Sequence, residues 1–101
     1  MNSEKEPVQV EPVAPFLVDL SIYEGEDEYV VANRFTGQKA QLTPTATAVY
    51  DVLISAEQMA SSMHKEGEQM SEQEDMLWNI VRKGLDWFRD HYPKEYMILL
   101  D

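Results

Sequence analysis

The sequence predicts an α+β domain, a three-stranded antiparallel meander followed by two amphipathic helices packed on one face of it. Three observations predict that class. Apolar residues recur at alternate positions in short runs between Phe16 and Leu42, and Gly25 and Gly37 fall between those runs. From Thr43 onward the apolar spacing lengthens to three and four residues.

Residues 1–15 read as an extended or disordered tail, because Pro7, Pro12 and Pro15 punctuate a stretch without sustained periodicity. Residues 16–101 then form a single domain. The first strand is expected over residues 16–23, with Phe16, Val18, Leu20 and Ile22 on one face and Asp19, Ser21 and Tyr23 on the other. The acidic turn from Glu24 to Glu28 follows, with Gly25 free to take positive φ. A second strand is expected over residues 29–34 and a turn over residues 35–38 with Gly37 left-handed. Lys39-Ala40-Gln41-Leu42 is the third strand, Ala40 and Leu42 facing inward.

Thr43-Pro44 is a helix start, an N-capping hydroxyl followed by a residue suited to the first helical position. Val49, Leu53, Ala56, Ala60 and Met63 make a core-facing stripe flanked by Tyr50 and Ile54, while Thr47, Asp51 and Ser55 are expected outward. The helix should fade between His64 and Gln69. Ser71 and Glu74 fit a capping box, each side chain meeting the other's amide, so a second helix should run to about His91. Met76, Leu77, Ile80, Val81, Leu85 and Phe88 form its apolar face. Gly84 interrupts it at about 1 kcal/mol relative to alanine, and a close crossing would explain the choice. After Pro93, residues 94–101 read as a last helical turn or a short strand, the helix being preferred. Their apolar run implies docking, in the chain's own core or on a partner.

Nineteen acidic residues against eight basic give a formal net charge of −11. That field repels phosphate backbones and anionic membranes, so the expectation is a protein partner, no nucleic acid and no membrane. No cysteine is present, which excludes disulfides, thiolate zinc and iron–sulfur sites and cysteine nucleophiles. No apolar run approaches the ~20 residues of a membrane span. The acidic N-terminus has no signal-peptide pattern, so a cytoplasmic protein is expected.

No catalytic constellation is legible, and no cofactor, metal or catalytic residue is assigned. His64-Lys65-Glu66 contains a His-x-Glu pair, but the cysteines of a zinc deaminase are missing. Asp86 and Asp90 sit one helical turn apart among Arg82, Lys83 and Arg89, where ordinary surface ion pairs are the expectation. The four glycines form no phosphate-cradling pattern. Two groups remain as candidates for contact. Glu24, Glu26, Asp27 and Glu28 make a dense acidic turn. Trp78, Arg82 and Arg89 project from nearly one side of the second helix, and Met97 and Leu100 end the chain on apolar side chains, together a candidate interface.

The words Asn33-Arg34-Phe35-Thr36-Gly37, Leu42-Thr43-Pro44, Val49-Tyr50-Asp51, Gly84-Leu85-Asp86-Trp87-Phe88, Tyr96-Met97 and Leu99-Leu100-Asp101 span about two-thirds of the chain. In them the chain resembles small uncharacterised proteins of marine tailed bacteriophages and environmental marine sequences. That resemblance implies an origin and brings no functional residues.

The reading is therefore a non-enzymatic acidic protein-interaction domain, with a homodimer as a candidate assembly. Its alternatives are a nucleic-acid-mimicking inhibitor of a basic protein and a small enzyme with dispersed carboxylates. The first needs carboxylates at phosphate-like spacing on one face. The second needs a deep pocket holding a strongly perturbed carboxylate.

Overall fold

The computed structural model describes residues 12–23, 25–64, 67 and 69–100. Most of the expected tail and the acid Glu24 lie outside these residues. Two strands form, β1 (Tyr29–Ala32) and β2 (Lys39–Leu42), followed by helices α1 (Pro44–Met63), α2 (Glu72–His91) and α3 (Pro93–Leu99). The class is α+β, with two strands among the described residues in place of three and three α-helices in place of two.

Residues 16–23 depart most from the sequence reading. Asp19 accepts hydrogen bonds from the Ser21 amide (3.0 Å) and hydroxyl (2.6 Å), and the Tyr23 amide donates to the Leu20 carbonyl (3.0 Å). These local bonds wind Ser21–Tyr23 into a 3₁₀ turn, occupying backbone groups that a strand ladder would use. The alternation fails with it. Phe16 and Val18 are half-buried, but Leu20 and Ile22 of the same expected face are 43% and 70% exposed. Upstream, Trp87 Nε1 donates to the Val13 carbonyl (2.7 Å), so contact with the body begins before Phe16.

β1 and β2 pair antiparallel, Tyr29 opposite Leu42 and Ala32 opposite Lys39. β1 stops two residues short of Arg34 because Asn33 folds its side chain back on the chain. Its carbonyl oxygen accepts from the amides of Phe35 (2.7 Å) and Thr36 (3.0 Å), and Gly37 closes the turn at φ 78°. β2 alternates as its sequence predicts, with Ala40 and Leu42 buried.

The Thr43 hydroxyl caps α1, accepting from the Ala46 amide at 3.1 Å. Val49, Leu53, Ala56 and Ala60 are buried as expected. Thr47 is buried too, against expectation, because its hydroxyl donates to the Thr43 carbonyl (2.8 Å) and needs no water. Ser71 caps α2 through the Glu74 amide (3.1 Å), but only half of the capping box forms. The Glu74 carboxylate turns instead to His64 Nδ1 at 2.9 Å, tying the end of α1 to the start of α2. Helix-to-helix proximity at His64 and Glu74, Leu53 and Gly84, and Tyr50 and Phe88 makes α1 and α2 an antiparallel hairpin. At Gly84 a Cβ would sit 2.5 Å from Leu53 Cδ1, which is the close crossing the sequence asks for.

α3 begins at Pro93 and docks the C-terminal run into the chain's own core, burying Leu99. Its backbone carbonyl at Ile98 accepts from Asn33 Nδ2 (2.8 Å), pinning α3 to the β-turn. The sheet's principal helical neighbour is therefore α3, together with the start of α1, and not a pair of long helices across one face. Core residues Leu42, Val49, Tyr50, Trp87, Phe88 and Leu99 meet at this end of the molecule. Of the sequence-predicted apolar face of α2, Met76 stands 65% exposed while Phe88 is wholly buried.

Candidate interaction surface

Element lengths decide where the surface lies. Two helices of twenty residues are about 30 Å long, whereas four-residue strands reach only about 13 Å. The cluster shared with the sheet and α3 takes from α1 only Ala46, Val49, Tyr50 and, at its margin, Ile54. Beyond that point α1 and α2 pack on each other through Leu53, Ala56, Ala60, Val81 and Gly84, and their flanks stay open among the described residues.

One flank carries most of the residues that helical spacing brings together. Trp78, half-buried, lies in a hollow of about 480 Å³ with Met70, Val81, Arg82, Leu85 and Asp75. Met70 and Trp78 also border a second depression toward His64 and Glu74. Val81 and Leu85 continue into a third, where Leu100 and the exposed ring of Phe35 stand. Trp78, Arg82 and Leu100 thus belong to one surface, linked through Leu85. Met70 and Phe35 complete it, and neither was a sequence-predicted site residue. Met70 is an isolated apolar residue just before the Ser71 cap, which is the only hint the sequence holds.

The arginines differ in how they are held. Arg82 Nη1 donates to the side-chain oxygen of Asn79 (2.7 Å), a neutral acceptor, so its charge is not neutralised there. Arg34, at the Phe35 end, pairs with Glu57 and lies 5.0 Å from the Phe35 ring centroid. Arg89 pairs with Asp86, the expected surface ion pair, and sits 5.6 Å from the ring of Tyr96. It borders none of the three depressions. Neither does Met97, which projects from α3 at 67% exposure.

The acidic turn lies elsewhere. Glu26, Asp27 and Glu28 are exposed, and the turn is closed at its base by an edge-to-face contact between Tyr23 and Tyr29 at 5.6 Å. Among the described residues, no three His, Asp or Glu side chains are grouped to hold a metal ion. Asp19 titrates below the usual carboxylate range because the Ser21 hydroxyl and then its amide donate to the charged form. The Tyr23 phenol is pushed upward, first by burial and then by its hydrogen bond to the Asp51 carboxylate. No helix among the described residues is long and apolar enough to cross a membrane.

Comparison with protein-family models, with curated proteins and with solved structures returned no match.

Proposed function

We propose that this chain is a small acidic protein-interaction domain whose contact surface is the Trp78 flank of the α1–α2 hairpin. The observation that carries the reading is Trp78 set between exposed Met70 and half-buried Leu85, in one hollow with Asp75 and with Arg82, whose guanidinium donates to the neutral Asn79. Tryptophan and arginine dominate measured interface hot spots, because each contributes a large planar area with few rotamers to fix. Methionine adds a surface that adapts to its partner. The net charge of −11 repels nucleic acid and anionic membranes and favours a basic protein. The resemblance to marine tailed-phage proteins points to a host or virion protein as that partner. A second copy of the chain is the other candidate, although like charge opposes it at low salt.

The test is affinity capture from a marine bacterial lysate at low and high salt, with the parent chain and a Trp78→Ala, Arg82→Ala variant. Circular dichroism establishes that the variant folds. The expected result is a set of proteins held by the parent and lost by the variant. Equal capture by both chains, or capture of nothing at either salt, overturns the reading. Light scattering of the parent and of Leu100→Glu reports the homodimer, and a parent that stays monomeric ends it.

A further inference from the structure

The opposite flank of the same hairpin holds a second surface of different character. There the 3₁₀ segment walls a trough of about 350 Å³ whose floor is α1 from Ala48 to Met59 and whose far side is Leu77 and Ile80 of α2. Met59 is 53% exposed within it. We propose that this trough takes a basic amphipathic helix from a partner protein. It uses none of the residues on the Trp78 flank and stands independently of the function proposed above.

Shape and backbone chemistry select a helix. Ala48 to Met59 is twelve residues of α1, about 16 Å or three turns, which matches an apolar stripe at i, i+4 and i+7. The floor and the far side are long helices, whose backbone groups are already bonded internally. An extended occupant would bury amides and carbonyls against them without partners, whereas a helix satisfies its own.

Charge selects a basic one. The trough is lined by two carboxylates, Asp19 and Asp51, and by no basic residue. Both carboxylates are fixed, Asp51 by the Tyr23 hydroxyl and Asp19 by Ser21. In sequence the wall is followed by the exposed Glu26-Asp27-Glu28, flanked by the Tyr23–Tyr29 contact. Lys83 lies one turn beyond Ile80 on α2 and does not line the trough, so among the described residues the lining charge is the two carboxylates alone. An apolar floor with the adaptable Met59 and two lining carboxylates complements a helix with an apolar stripe between lysines or arginines.

The probe is a fluorescein-labelled synthetic peptide of about eighteen residues, leucine along one helical face and lysine elsewhere. A scrambled peptide and one with glutamate for lysine are the controls. Fluorescence anisotropy on the full chain, circular dichroism and methionine-methyl NMR are the readouts. The basic peptide is expected to bind, become helical, weaken with added salt and shift the Met59 methyl. Asp51→Lys and Met59→Lys should each weaken it by on the order of tenfold, and Trp78→Ala should leave it unchanged. Met59 is exposed, so its variant keeps the test valid even if Asp51→Lys unfolds. No binding, equal binding of the scrambled peptide, or equal loss in Trp78→Ala overturns the proposal. So does a Met59 methyl shift produced by diluting the protein alone, which would assign the trough to a second copy.

Discussion

Gly84 and Leu53 define the tightest point of the helical hairpin. A methyl group at residue 84 would meet Leu53 Cδ1 at 2.5 Å and its Cβ at 3.2 Å, and Leu53 is wholly enclosed. Alanine gains roughly 1 kcal/mol of helix propensity over glycine, but overpacking typically costs about 1–3 kcal/mol. Gly84→Ala is therefore expected to destabilise by about 1 kcal/mol in urea unfolding. Combined with Leu53→Ala, most of the steric part should vanish, giving a coupling of about 2 kcal/mol in a double-mutant cycle. Additive effects would place the strain elsewhere. At the trough wall, Tyr23 and Asp19 respond to pH in opposite directions. A phenol whose folded value is raised contributes fully below its ordinary value of about 10 and loses that contribution as pH climbs through the folded one. A lowered carboxylate contributes above about pH 4 and loses it as pH falls. Melting temperatures should therefore drop at alkaline pH in the parent, and the part of that drop owed to Tyr23 should disappear in Tyr23→Phe.

At the scale of elements, side-chain bonds to the backbone decide where the sequence reading holds and where it fails. Asn33 is buried and makes three bonds, two that close the β-turn and one to the Ile98 carbonyl of α3. Asn33→Ala removes all three and leaves the half-buried Ile98 carbonyl without its partner, at about 1 kcal/mol or more. Asn33→Asp keeps the turn acceptors but sets a carboxylate against a carbonyl, so amide exchange in α3 should rise in both variants while turn protection survives only in the second. Unchanged exchange in α3 would remove Asn33 from its docking. The helices were legible because Thr43-Pro44, Ser71 and Pro93 are local signals and the apolar spacing persists for five turns. Residues 16–23 were not, since their alternation is genuine but Asp19 captures the amide that would have joined a ladder. The same contrast governs the surfaces. Trp78 and Arg82 share a side of one helix, which spacing reveals. The trough joins three segments distant in sequence, one of them read as a strand, so no local pattern could disclose it.

For the molecule as a whole, the charge of −11 is the property that sequence states most plainly and structure distributes. Arg34 and Arg89 are each drawn to a carboxylate, and Arg82 is turned toward Asn79. Glu26, Asp27 and Glu28 take part in no ion pair among the described residues, so that turn is one place where three uncompensated carboxylates lie close together. Folding brings these carboxylates closer than they are in the extended chain, and net charge of this size destabilises the compact state by self-repulsion. Salt should relieve it. The Debye length is about 30 Å at 0.01 M and about 8 Å at 0.15 M, so repulsion across the molecule is felt at the first and largely screened at the second. Sodium chloride added over that range is expected to raise the melting temperature by several degrees, since a domain of this size gains roughly 4–8 °C per kcal/mol. Neutralising the turn with Glu26→Gln, Asp27→Asn and Glu28→Gln should lift the low-salt melting temperature and flatten the salt dependence together. A parent whose melting temperature ignores salt would mean that the acids repel one another too weakly to matter, and would remove the electrostatic preference for a basic helix in the trough.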